Sequence, residues 1–143
     1  MRFQLRPWAK GSNTMAASEE HLQQLKTLEG KRFTTFELIH AGEGVDVIKF
    51  NGLVLPAGWS TPTTNVYFVV PSGYPIAKPD GFWTDPSLRL ASGAPPTNIG
   101  KNQHPGVPEG LHWFSWHANS WNPNRDNLVT YLGVIRKRFE QTR

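Results

Sequence analysis

The chain has 143 residues, no cysteine and a formal net charge of +4. A domain of this size buries about 68–70% of the surface of its unfolded chain, so one well-formed core is expected. The missing cysteines exclude disulfides, thiolate metal sites and a cysteine nucleophile.

Targeting signals and membrane spans are not expected. The longest apolar runs are about five residues, against the roughly 20 that cross a bilayer, and the N-terminus has no apolar signal core. A cytoplasmic protein with no membrane partner is therefore predicted. Basic residues cluster at both ends of the chain, but lysine and arginine at helix ends commonly complement the helix dipole. Nucleic-acid binding is accordingly the less favoured interpretation.

The N-terminal part divides into a tail and a helix. Residues 1–16 show no helical or strand period and are predicted to be a flexible tail or leader, followed by one domain over residues 17–143. From Ser18, "SEEHLQQLKTLEG" is typical of a helix with Ser18 as N-cap and Gly30 as its stop.

Three strands are predicted next, at short spacing. They are "RFTTFELIH" (32–40), "GVDVIKF" (44–50) and "NVYFVV" (65–70), separated by glycine-rich turns. In the first two strands polar residues alternate with apolar ones, as in antiparallel strands with one solvent-exposed face. A β-meander is expected.

A proline-stiffened segment follows the third strand. Pro71, Pro75, Pro79 and Pro86 each fix φ and remove a backbone donor, so the chain here cannot join a central ladder. Residues 71–110 are predicted to be mostly irregular, and a segment of that length fits a compact domain only as a packed, functional loop.

The last predicted element is a helix in "RDNLVTYLGVIRKRFEQ" (125–141). Leu128, Leu132, Ile135 and Phe139 recur at helical spacing, and Asn124 or Asp126 is the expected cap. The order of elements predicts an α+β domain with helices at both ends of the sequence, a meander of about four strands and a long ordered loop between them.

Three motifs, in order, resemble the ubiquitin-conjugating enzyme (UBC) superfamily. "PSGYPIAKP" (71–79) resembles the signature P-x-x-Y-P-F-x-P-P, "FWT" (82–84) resembles the apolar-x-T strand that follows it, and "WNP" (121–123) resembles the W-x-P before the next helix. Chain length, the run from Tyr74 to Pro86 and "WFSWHANSWNP" (113–123) are most similar to the prokaryotic family-E branch. The resemblance implies a UBC-like fold.

The same resemblance places Trp113 where the catalytic cysteine belongs. Counting from the family's preceding glycine, Gly110 takes the glycine's place, and an indole cannot form a thioester. The family's H-P-N is also unmatched, with "TDPSL" (84–88) in its place. His117 matches the histidine that the branch is described as having after its cysteine.

The implied function is a role in conjugating a ubiquitin-like protein. Two alternatives stay open: a scaffold or binding module without thiol chemistry, or an active transferase whose cysteine has been engineered away or has moved. The expected partners are a ubiquitin-like protein, an activating enzyme and a JAB-type peptidase. The expected binding surface combines the first helix, the Trp59 loop and the segment around Tyr74, Pro75, Ile76 and Lys78.

Other chemistry has less support in the residues. Ser115, His117 and Asp85 are alternative catalytic candidates, but a serine nucleophile needs an orienting carboxylate as well as a base within reach, and no carboxylate lies close in sequence. The five histidines lack the helical pair spacing and thiolate companions of zinc sites, so no metal or cofactor is expected. Trp59 lies in a turn-rich loop, where interface and packing roles are equally open.

Overall fold

The computed structural model describes residues 17–143 of the chain. The predicted tail, residues 1–16, lies outside the described residues. None of the helices within 17–143 has the length and apolar character needed to cross a membrane. The elements in chain order are α1 (Glu19–Lys26), β1 (Thr35–Gly42), β2 (Val45–Val54), β3 (Thr63–Val70), β4 (Phe82–Thr84), β5 (Ile99–Gly100), β6 (His112–Phe114) and α2 (Leu128–Glu140).

The strands form one antiparallel sheet in the order β1-β2-β3-β4-β6-β5. β1 to β4 are consecutive neighbours, as expected for a four-stranded meander, and β5 and β6 extend the sheet beyond the prediction. β6 inserts beside β4, with Phe82 opposite Phe114 and Trp83 opposite Trp113. The α+β class is confirmed, and the sheet has six strands rather than about four.

α1 begins as predicted and ends early. The Ser18 hydroxyl accepts a hydrogen bond from the His21 amide at 3.1 Å, which caps the helix. The last helical residue is Lys26, and the chain then turns through Thr27 to Gly30, so Gly30 is not the helix stop. The Thr27 hydroxyl bonds the Gln24 carbonyl at 2.6 Å and so satisfies a carbonyl that a longer helix would use.

α2 follows the predicted period but has a different cap. Asn127 is the N-cap, and its side chain accepts hydrogen bonds from the amides of Val129 and Thr130 in a capping box. Asn124 and Asp126 were wrong as caps. The Asp126 carboxylate instead accepts the Asn122 amide at 2.7 Å, and this hydrogen bond lowers the pKa of Asp126.

Both helices pack on one face of the sheet. Leu22 and Leu25 of α1 and the apolar stripe of α2 meet alternate residues of β1 to β3, and Phe68 lies 5.0 Å from the ring of Tyr131, centroid to centroid. Because side chains alternate across a strand, the intervening residues Val47 and Tyr67 point to the other face.

The long irregular segment covers part of that second face. Val107 is 8% exposed and packs with Val47, Tyr67 and Trp83, and the Trp83 indole donates a hydrogen bond to the Asn102 carbonyl at 2.8 Å. The segment is therefore mostly irregular, as predicted, and it is packed against the sheet.

One of the basic residues near the C-terminus is a core residue. Arg138 is completely buried, and its guanidinium donates hydrogen bonds at 2.8 Å to the carbonyls of Gln141, Thr97 and Arg143. It also lies over the rings of Phe114, Trp116 and Trp59. Burial lowers the pKa of Arg138. Arg138 lies in the last turn of α2, as expected for a cation that complements the helix dipole, and it is a core residue as well.

Candidate functional site

Residues 71–81, the proline arm, leave β3 and cross to β4 through two local turns. The Tyr74 amide bonds the Pro71 carbonyl, and the Ala77 amide bonds the Gly73 carbonyl, both at 3.1 Å. Tyr74 is 8% exposed, and its hydroxyl lies 2.8 Å from Nδ1 of His21. Burial raises the pKa of Tyr74. This side chain therefore anchors the proline arm to α1 and contributes little exposed surface.

The proline arm is also tied to the segment that follows β6. The Trp121 indole donates to the Pro75 carbonyl at 2.7 Å, and the Lys78 ammonium donates to the Ala118 carbonyl at 3.3 Å. At the end of the arm, the Gly81 amide donates to the Trp116 carbonyl at 2.9 Å. These three bonds hold the arm rigidly against residues 116–121.

Trp113, at the position that the resemblance assigns to the nucleophile, packs directly beneath the arm. A β-carbon at Gly81 would overlap the six-membered ring of Trp113, so only glycine fits there. The Trp113 ring also lies 4.5 Å from the ring of Trp83, centroid to centroid. The half-buried indole of Trp113 thus contacts both Gly81 and Trp83.

An exposed acid and imidazole pair lies beside this packed region. Nδ1 of His117 is hydrogen-bonded to Oδ1 of Asp80, and both side chains are more than half exposed. The partner of His117 is therefore Asp80, which lies between a proline and a glycine, an ordinary setting for a turn residue. Antiparallel register offers a signal for it: Phe82 pairs with Phe114, so residues two or three before Phe82 lie beside residues two or three after Phe114.

Asp85 is at the wrong end of β4 to join this pair. The Asp85 carboxylate accepts a hydrogen bond from the Asn65 amide at 3.2 Å and lies 3.4 Å from Thr64 Oγ1. Asp85 therefore links the start of the segment after β4 to β3. His112, across from Thr84, lies 3.0 Å from Nη1 of Arg89, and burial together with that charge lowers the pKa of His112. The structure therefore brings His117 together with Asp80 and leaves Asp85 and His112 apart from them.

Ser115 and His117 line one open groove of about 760 Å³ between the segment after β6 and the last turns of α2. Polar and charged side chains dominate its walls, including Asn98, Asn119, Lys137 and Arg143. Ser115 is exposed, and its backbone amide is held by the Asn98 carbonyl at 3.0 Å. The groove therefore presents hydrogen-bond donors and the two cations, together with the carboxylate of Glu140.

The exposed part of the proline arm is apolar and basic. Ile76 is 82% exposed, the highest exposure of any large aliphatic side chain among residues 17–143, and the nearby Lys78 is also exposed. Pro75 is half-buried beneath Trp121. A stiff segment that presents an isoleucine to solvent has the character of a recognition surface, because little conformational entropy is lost when it binds.

Trp59 does not contribute to such a surface. It is 6% exposed, its indole donates to the Phe139 carbonyl at 2.8 Å, and its ring packs edge-on against that of Phe139. The packing interpretation of Trp59 is therefore the one that fits the structure. Among residues 17–143 no cluster of three or more histidine, aspartate or glutamate side chains is arranged to hold a metal ion.

A family model described as prokaryotic E2 family E matches residues 7–142. No curated protein matches the chain, and neither does any solved structure. The match spans the proline arm, the β6 segment that carries Trp113 and the whole of α2, the features that together frame the candidate site. The chain belongs to the prokaryotic E2 family E.

Proposed function

We propose that this protein, with a UBC-like fold, is a binding module without thiol chemistry in a ubiquitin-like conjugation pathway. The proposal rests on the packing of Trp113 against Gly81, at the position that the resemblance assigns to the nucleophile, in a chain that contains no cysteine. The indole of Trp113 cannot accept an acyl group as a cysteine thiol does. Its presence there therefore favours a function in binding over a function in acyl transfer. The proposed partners are a ubiquitin-like protein and its activating enzyme, in the cytoplasm, with a JAB-type peptidase as a further component.

The proline arm is the proposed contact surface. It is fastened to α1 through Tyr74 and to residues 116–121 through Trp121 and Lys78, so its outer side changes little on binding. Ile76 supplies an exposed apolar anchor. An apolar side chain surrounded by polar and charged groups is the usual anatomy of a binding hot spot.

A second candidate function has one specific observation in its favour. Ser115 and His117 line the same groove, and Asp80 is hydrogen-bonded to His117, so a hydroxyl, an imidazole and a carboxylate occur in one region. In that alternative, Ser115 Oγ attacks the carbonyl carbon of an activated C-terminus, the hydroxyl proton passes to the imidazole, and the activating enzyme's thiolate leaves. The product is an oxygen ester, which hydroxylamine cleaves.

Ile76→Asp is expected to weaken binding of the organism's own ubiquitin-like protein, its activating enzyme, or both at least about tenfold, because a carboxylate replaces the apolar anchor. Isothermal titration with each partner separately measures the effect. Ser92→Asp, in an exposed turn away from the arm, carries the same charge change and is expected to bind as the wild type does. Equal affinities of Ile76→Asp and Ser92→Asp for both partners would refute the arm as the contact surface.

A further inference from the structure

A second surface lies between the turn after α1, the β2–β3 connection and the last turns of α2. It is a pocket of about 180 Å³ whose inner residues include Leu55 and Phe139, 7% and 1% exposed respectively. Val54, 52% exposed, also lines it, and this is one of two large aliphatic side chains with high exposure among residues 17–143. The pocket thus combines an apolar base with an unusually open valine.

Three cations surround this apolar base. Lys31, Arg32 and Arg136 line the pocket, while Glu140 is the single acidic lining residue. Within the described part of the chain, none of the three cations has a carboxylate within 4.0 Å. Clustered like charges repel one another, and an anionic occupant would relieve that repulsion.

The charge and the size of the pocket limit the kind of molecule that can bind in it. The chain's own N-terminal residues 1–16 carry Arg2, Arg6 and Lys10 and no acidic residue, so they have the same sign as the pocket. Single-stranded nucleic acid binds along extended basic grooves with exposed aromatic rings for stacking, whereas this pocket is small and its exposed apolar residues are Val54 and Pro56. An acidic polypeptide with an apolar side chain matches both the positive charge of the pocket and its apolar bottom.

We propose that this pocket docks an acidic segment of a partner protein. An aliphatic or aromatic side chain of the segment lies against Val54 and Leu55, and its aspartate or glutamate side chains pair with Lys31, Arg32 and Arg136. The proline arm contacts the first turns of α2 through Tyr131, whose hydroxyl donates to the Gly81 carbonyl, whereas Arg136 and Glu140 lie in the last turns. The two surfaces are therefore separate, and this inference goes beyond the proposed function without depending on it.

Selection of a phage-displayed library of random 12-residue peptides on the full chain tests the proposal. Selected peptides are expected to be enriched in aspartate and glutamate next to leucine, isoleucine, valine or phenylalanine. The affinity of the most enriched peptide, measured by fluorescence anisotropy, is expected to fall at least about tenfold in Arg136→Glu and in Lys31→Glu. Lys101→Glu makes the same charge change at an exposed position in the segment that covers the other sheet face, and it should alter the affinity less than about twofold.

Two results would overturn the proposal. One is a selection that shows no acidic enrichment, and the other is a selected peptide whose affinity is unchanged by both pocket substitutions. Val54→Ser keeps all charges and should also weaken the peptide, which distinguishes docking in the pocket from a general attraction of acidic peptides to a basic protein. A single-stranded oligonucleotide that binds more tightly than the peptide, with the affinity lost in Arg136→Glu, would replace the acidic segment by nucleic acid as the occupant.

Discussion

Arg138→Ala is expected to lower the free energy of unfolding by about 4 kcal/mol, the largest loss we expect from a single change at a polar residue. The substitution removes three hydrogen bonds at once, those to the carbonyls of Thr97, Gln141 and Arg143. A hydrogen bond to a charged group contributes about 1.5–3 kcal/mol, and the space that the guanidinium vacates beside the rings of Phe114 and Trp59 adds to the loss.

Urea denaturation followed by circular dichroism measures this change. Lys137→Ala is the matched control, since it removes a neighbouring cation that is exposed on the same helix and should change stability by less than about 0.5 kcal/mol. If the two variants were equally stable, the carbonyl contacts of Arg138 would not hold the Thr97 loop to the end of α2.

Gly81→Ala is expected to destabilise the fold by about 3 kcal/mol or more, because it breaks the contact between the proline arm and Trp113. The added β-carbon meets the indole ring, and the residue has φ +68, a conformation that alanine adopts at a cost of about 1 kcal/mol. Movement of Gly81 would in turn disturb the bonds that its amide and carbonyl make to Trp116 and Tyr131.

Gly110→Ala distinguishes the overlap with the indole ring from the cost of the positive φ. Gly110 also has positive φ, +84, but nothing lies within 4 Å of its added β-carbon, so this variant should show only the cost of the backbone conformation. In a double-mutant cycle, Trp113→Leu should recover at least about 1 kcal/mol of the loss in Gly81→Ala. Strict additivity of Gly81→Ala and Trp113→Leu would show that the indole does not lie against the glycine.

The main helices and strands could be predicted because their signals are local. The stripe of Leu128, Leu132, Ile135 and Phe139 is a period within one helix, and all four side chains are buried as expected. Strands β1 to β3 likewise show alternation and turn residues. β5 has two residues, Ile99 and Gly100, too few to carry a period, and it exists because β6 offers a free edge.

The roles of Trp59 and Arg138 could not be predicted because they depend on distant parts of the chain. The partner of the Trp59 indole is the Phe139 carbonyl, 80 residues away, and a turn-rich loop gives no sign that its tryptophan points inward. Arg138 satisfies the rule for cations at a helix end, yet its hydrogen bonds go to Thr97 and the residues after the helix.

In the candidate site, too, local features could be predicted from the sequence and contacts between distant parts of the chain could not. The assignment of Trp113 to the nucleophile position rests on the spacing of motifs along the chain and stays a prediction. The pairing of His117 with Asp80 needs the register between β4 and β6, which aligns two segments 37 residues apart. The basic pocket was missed because its residues come from the turn after α1, the end of β2 with the connection that follows, and the last turns of α2, and no motif joins these parts of the chain.

The most direct test of the proposed function is intact-mass spectrometry of the chain after incubation with ATP, the organism's own activating enzyme and its ubiquitin-like protein. We predict a complex that forms without covalent attachment, so the mass of the chain stays unchanged while the two partners co-elute with it in gel filtration. A stoichiometric adduct with the mass of the ubiquitin-like protein, removed by hydroxylamine and absent in Ser115→Ala, would contradict this prediction and establish a transferase.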